Sequence, residues 1–419
     1  MRETSTLGRA ALTATATRTG PGARHIGARA VVVTGAYVAS AVVVLLAIVL
    51  LRQAVSPDRL RGVLSFFFIA ALAAGLEPAT VKAQILRGAA SEVSVAAYLG
   101  AGALKALAAA PLLALVWRIA DPRMESWTLL WLPLVAIDGF AATDLRVLLD
   151  VRGQHARAIW LKQGSLAGGF AILAALTAAG MPLFWAIGAS SLARLVLVAM
   201  AAVLIPGPGA AGLRRQIGDL LADDRWIDLA AASAIAAAGG SIDRVLALRF
   251  LPATAFSGYL LLYETFSRFW LLPYLLTPIL FARRASGQDT GSFVRGAWLV
   301  TLAAGGLFLL ATGGVMAQAP RLARRFLGTS FGPATLAFAL AVVIGAFTQL
   351  RIAELQAAGS ARRATLAMAA SAGIAAVLFF VFVTRLGAAG LLWAWLVKSA
   401  VEFLATMVGG RPGLRRQPL

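Results

Sequence analysis

The run AVVVTGAYVASAVVVLLAIVLL, from Ala30 to Leu51, carries no charged side chain and is long enough to cross a bilayer as a helix. In hydrocarbon each backbone N–H and C=O must find a partner within the structure, so a run like this becomes a helix. Comparable runs recur to the end of the chain. Hydrophobic residues fill 60% of the 419 positions and charged residues only 13%. A soluble domain has roughly 45–50% and about 25%. The sequence therefore reads as an all-α polytopic membrane protein. The first run is longer than a signal-peptide core and no clean cleavage site follows it, so it is read as a retained span.

About twelve spans fit the pattern. They run over 30–51, 62–86, 93–119, 127–149, 158–179, 181–205, 226–250, 256–282, 293–316, 333–352, 364–383 and 386–407. The connections are short and leave no room for an extramembrane domain. The expected organisation is a basic flexible tail over 1–29, a six-helix bundle over 30–205, a linker over 206–225, a second six-helix bundle over 226–408 and a basic tail over 409–419. With the N-terminus inside, inner segments hold more than twice as many Lys and Arg as outer ones. That bias predicts both termini in the cytoplasm, in a bacterial cytoplasmic membrane. The Arg321–Arg325 cluster, on an outer segment, runs against it.

Composition also excludes chemistry. With no cysteine there is no disulfide, thiolate metal site or redox centre. His25 and His155 lie outside the apolar runs, so no histidine metal site or general base is expected at membrane depth. No cofactor motif is present. The net charge of +20 reflects basic loops rather than a nucleic-acid surface, because no soluble module exists to carry one.

The two halves resemble each other. LRQAVSPDRLRGVLSF from Leu51 parallels LRFLPATAFSGYLLLY from Leu248, and DVRGQHARA from Asp150 parallels QAAGSARRA from Gln356. The second pair shares Gly-x-x-x-Arg-Ala, ending at Ala158 and Ala364. An even number of spans per half makes the repeats parallel, and paired bundles of this kind suit a transporter with its site between the halves.

The start of the second half carries a resemblance. Asp243-Arg244, an apolar run, Gly258-Tyr259 and a helix ending near Pro278 resemble the corresponding stretch of bacterial polysaccharide flippases. These are the O-antigen-type (Wzx-like) exporters of the multidrug/oligosaccharidyl-lipid/polysaccharide superfamily. The turns QAAGSARRA and DVRGQHARA, and LGAAGLLWAW from Leu386, are also similar to this family. Leu260 stands where the family often has a second Tyr. The resemblance implies two bundles around a central cavity, bordered by spans one, two, seven and eight. It implies alternating-access transport of an undecaprenyl-pyrophosphate-linked oligosaccharide, with polysaccharide polymerase and glycosyltransferases as partners. Lipid II flippases usually have two further spans, so a surface or exopolysaccharide unit is the expected substrate.

Charges at membrane depth line a cavity or pair with each other. Glu264 and Arg268 are four apart and share a helix face, with Ser257 on the same side and Tyr259, Tyr263, Phe266 and Trp270 on another. Either Arg268 attracts an anionic headgroup that Glu264 helps orient, or the two form a self-satisfied pair. Asp243 and Arg244 are candidates for the same substrate site, for a mutual pair, or for snorkelling from the outer end of their span. Glu77, followed by Pro78, is the leading ion-coupling candidate, and Asp138 the second. Lys105, Arg194, Lys398 and Glu402 are expected to tie helices together. Trp127, Trp131, Trp393 and Trp395 are expected to be interfacial anchors. Two rival functions remain: a cation-coupled multidrug exporter of the same fold, and a membrane polysaccharide polymerase or ligase. The exporter would carry an acidic residue in the first span, which Ala30–Leu51 lacks. The enzyme would need a catalytic constellation that the short outer loops do not offer.

Overall fold

A computed structural model describes residues 23–76, 93–151, 154–205, 212–223, 239–270, 290–318, 332–357 and 361–408, with isolated positions in 80–84, 234–237 and 272–280. Among the described residues every regular element is helical. Glu77, Pro78, Gly153, Pro278, Gly359 and the Arg321–Arg325 cluster lie outside them.

The chain divides into two compact units, Met1–Ala237 and Ala238–Leu419. The first contains α1 (Ala23–Ala54), α2 (Pro57–Gly75), α3 (Val95–Ala120), a 3-10 turn at Ser126–Trp131, α4 (Leu132–Val151), α5 (His155–Ala178), α6 (Leu183–Val203) and the short α7 (Leu213–Ala222). The second contains α8 (Ile242–Phe250), α9 (Ala253–Phe266), a 3-10 turn at Ser267–Trp270, α10 (Gly291–Gln318), α11 (Pro333–Ala357) and α12 (Ala361–Val408). Seven of the described helices are long and apolar enough to cross a membrane.

Local chemistry sets several boundaries. Helix α1 starts at Ala23, not Ala30, so part of the expected flexible tail is helical. Once the apolar run is helical, each residue added at its end gains a hydrogen bond without a new nucleation cost. Extended Ser56 followed by Pro57 opens α2, since proline lacks an N–H that the first turn would leave unpaired. The Ser94 hydroxyl accepts from the Ala97 N–H at 3.2 Å and caps α3. Helix α12 holds the last two expected spans, broken at Gly387, whose φ of +61° suits glycine. Just beyond it, a side chain at Gly390 would collide with the Phe382 carbonyl, so the turn is tight.

In the first unit α1 packs on α5, α2 on α4, and α3 on α4, around buried Phe66, Phe68, Tyr98 and Trp117. In the second α11 packs on α10 and α12, and α8 on α12, around Phe256, Tyr259, Phe338 and Phe379. The outward residues are just as apolar: Leu307 and Leu310 of α10 are 69% and 75% exposed. Aliphatic side chains this open are stable facing acyl chains, not water.

Candidate functional site

The chain breaks at Gly240–Ser241 before α8, which places Asp243 in the first turn of a new helix. A carboxylate there meets the positive end of the helix dipole. Asp243 is fully buried. One of its oxygens accepts from the Tyr259 hydroxyl and, at 3.2 Å, from the Trp395 indole N–H. That indole N–H also points at the Tyr259 oxygen, 2.9 Å away. The other carboxylate oxygen lies 3.8 Å from Arg244 Nε. Three helices, the consecutive α8 and α9 and the distant α12, thus meet on one carboxylate.

Arg244 turns back over the break. Its guanidinium donates to the Gly240 carbonyl and reaches the Ser241 hydroxyl at 3.3 Å. Its carbon sits 4.5 Å from the centre of the Tyr263 ring, a cation–π contact of about 0.5–2 kcal/mol. Tyr263 in turn packs on Trp395 at 5.9 Å and Trp270 at 6.3 Å, ring centre to ring centre. The aromatic side of α9 is real, and it faces inward against Phe338 of α11 and Trp395 of α12. Arg244 is therefore held within the second unit; its side chain is only 15% exposed, against the snorkelling alternative.

Glu264 and Arg268 do meet. Arg268 Nη2 donates to Glu264 Oε2 at 2.6 Å and Arg268 Nε to the Glu264 carbonyl at 3.1 Å. Arg268 lies on the 3-10 turn that ends α9, where the helix tightens and leaves carbonyls to be satisfied. Of the four candidate charges its side chain is the most accessible, at 27%. Ser257 lies two turns before Glu264 on the same helix, but it is buried and its hydroxyl donates to the Thr254 carbonyl at 2.8 Å. The connection between the spans expected over 226–250 and 256–282 is only Leu251–Pro252, because α9 is already formed at Ala253.

Trp395 is 3% exposed and hydrogen-bonded, so it is not an interfacial anchor. Trp127, at 72% exposed, is free of that burial. Beyond Trp395 the polar line continues along α12. The Lys398 ammonium sits 4.7 Å from the indole centre and pairs with Glu402 at 2.8 Å, and Glu402 accepts from Ser371 at 2.7 Å.

In the first unit, buried Asp138 of α4 is ion-paired with buried Arg194 of α6. Gly169 of α5 makes room for that arginine: a side chain there would collide with it. Ser190 donates to the Gly169 carbonyl at 2.7 Å beside it. Asp138 is thus one half of an interhelical ion pair. Lys105 donates to Thr80 at 3.0 Å, a second link between segments. Glu77 lies outside the described residues. Among the described residues no group of three or more His, Cys, Asp or Glu converges as a metal site.

No protein-family model matches the sequence, and no curated protein matches it. Solved structures do. The lipid II flippase MurJ in an inward closed conformation matches with a TM-score of 0.64 at 14% identity, over 90% of this chain and 87% of that one. A MOP superfamily transporter from Pyrococcus furiosus, noted for the reverse polarity of its binding pocket, matches at 0.55 and 14% identity, over 92% and 93%. A eukaryotic MATE transporter matches at 0.52 and 14%, over 91% and 93%. The chain is an all-α, multi-pass membrane protein of about twelve spans, built on the fold that these MOP superfamily transporters share.

Proposed function

We propose that the chain is a transporter, not an enzyme, and that it flips undecaprenyl-pyrophosphate-linked oligosaccharide units across the bacterial cytoplasmic membrane by alternating access. Arg268 carries the reading. It is a guanidinium at membrane depth, partly accessible and held in one orientation by Glu264. A planar cation fixed in this way suits the oxygens of a pyrophosphate. Asp243 and Arg244 support it from behind: their charges offset each other, and the Tyr259 hydroxyl bound to Asp243 and the Tyr263 ring under Arg244 hold α9 in place. The first span offers no carboxylate for a cationic cargo. Polysaccharide polymerase and glycosyltransferases are the partners this function calls for.

Asp138 is fully buried in its pair with Arg194, whereas Arg268 is partly open, so Glu77 carries the ion-coupling role in this proposal. A second reading, a cation-coupled multidrug exporter, is supported by the fold the chain shares with MATE transporters.

Reconstituted vesicles decide between them. The purified protein should move a fluorescent undecaprenyl-pyrophosphate oligosaccharide to the leaflet where an impermeant quencher reaches it. Arg268→Glu should abolish that movement while inserting normally; full flipping by this variant would remove Arg268 from the site. Transport of a cationic dye without any flipping would establish the exporter instead. With a proton or sodium gradient imposed, Glu77→Gln should lose the gradient response of the wild type. A response that is unchanged would take the coupling role from Glu77.

A further inference from the structure

Helix α7, LRRQIGDLLA, is too short to cross a membrane, yet the first unit holds it firmly. Leu213, Ile217 and buried Leu220 pack on a cluster built from the start of α3, the end of α4, the start of α5 and the end of α6. The Gln216 side-chain oxygen Oε1 accepts from the Ser94 N–H at 3.1 Å and from its hydroxyl at 2.8 Å, joining α7 to the cap of α3. The opposite face of the helix is open. Arg214, Arg215, Gly218 and Asp219 are exposed, and so is Leu221.

Two observations fix the level of α7 relative to hydrocarbon. Val203 and Leu204, at the end of α6, are 85% and 71% exposed. Aliphatic side chains so open belong among acyl chains, so hydrocarbon reaches the end of α6, and α7 starts close after it. At the same end Trp160 is half exposed on the second turn of α5, as an aromatic at the headgroup level would be. Arg157, one turn before it, is exposed as well. A helix at this level, apolar on its inner face and with guanidinium groups outward beside an exposed leucine, has the chemistry of an interfacial helix.

We infer that α7 is an interfacial arm that docks on anionic lipid headgroups through Arg214 and Arg215, with Arg157 adding to the same basic end. Charge decides the occupant. The exposed arginines outnumber the single exposed carboxylate of the helix, Asp219, and phosphate-bearing headgroups are the anions that lie at this depth. The inference is independent of what the protein transports.

The chain has no cysteine, so one can be placed and labelled cleanly. Gly218 has open space around its Cβ position, and Gly218→Cys would carry a polarity-sensitive bimane without disturbing the fold. The full chain is reconstituted in vesicles of phosphatidylcholine alone and in vesicles that also contain phosphatidylglycerol. Bimane emission should shift to the blue only with phosphatidylglycerol. The shift should fall as salt is raised, because surface charge is screened over about 10 Å at 0.1 M. Adding Arg214→Gln and Arg215→Gln should abolish it. Equal emission in the two vesicles, a shift indifferent to salt, or a shift that survives both substitutions would overturn the proposal. So would the same shift on adding inorganic phosphate to phosphatidylcholine vesicles, which would assign the arginines to a soluble anion. The lipid and salt comparisons use the wild-type arginines and stand even if the double variant folds poorly.

Discussion

Asp243 is a single carboxylate whose surroundings could not be read from its neighbours in the chain. Its partner Tyr259 is sixteen positions away and was legible only as part of an aromatic stripe on α9. Trp395 is 152 positions away, and nothing in its local sequence separates it from an interfacial tryptophan. Deep burial with two donors and a cation nearby makes this carboxylate costly to disturb. Tyr259→Phe keeps the ring and removes the hydroxyl, leaving the carboxylate with one donor fewer. A hydrogen bond to a charged group contributes about 1.5–3 kcal/mol, so unfolding of the purified variant in detergent should show a loss of that size. An unchanged unfolding midpoint would mean that the Asp243 site is already relaxed by other donors. Arg268 is the counterexample on the legible side. That it shares a face with Glu264 followed from spacing alone, because residues four apart on a helix are neighbours whatever surrounds them.

Helices were the most readable level, and their faces the least. An apolar run of spanning length must be helical in lipid, so the existence of α1, α3, α5, α6, α10 and α11 follows from composition. Amphipathic periodicity, which tells a soluble helix which side is inward, is weak here because both the lipid and the interior are apolar. The sequence could therefore propose that Arg194 ties helices together but not name its partner. Asp138 is that partner, across from α6 on α4. Removing one member of a buried pair strands the other, at about 3–5 kcal/mol. Asp138→Asn should lose that much stability, and Asp138→Asn combined with Arg194→Gln should recover part of it. If the two losses simply add in denaturant unfolding, the residues are not coupled. The short α7 lies in the stretch read as a linker, yet it is amphipathic, because one of its faces meets protein and the other does not.

At the scale of the whole molecule, the basic residues give an orientation that the fold alone does not. Positive-inside bias predicts the loop before the 3-10 turn at Ser126 outside and α7 inside. Because the chain lacks cysteine, this can be checked one residue at a time. In intact spheroplasts an impermeant maleimide should label Glu125→Cys and leave Ala222→Cys unlabelled until the membrane is opened; both sites are exposed in the wild-type structure. The reverse pattern would invert the topology. The division of the chain into two compact units, between Ala237 and Ala238, falls beyond the linker expected over 206–225. The reason is physical: α7, inside that stretch, is fastened to α3 by Gln216 and to the core by Leu220, so it belongs to the first bundle and not to a free connection. The sequence by itself determined that this chain enters a membrane, that it does so as helices and about how many, since hydropathy and length act locally and need no partner. Only the tertiary structure decided that Asp243, Tyr259 and Trp395 share one site, that Asp138 answers Arg194, and that Trp395 is core rather than anchor. Those facts depend on which apolar faces meet each other, and in a chain apolar on every side the sequence carries little that distinguishes one face from the next.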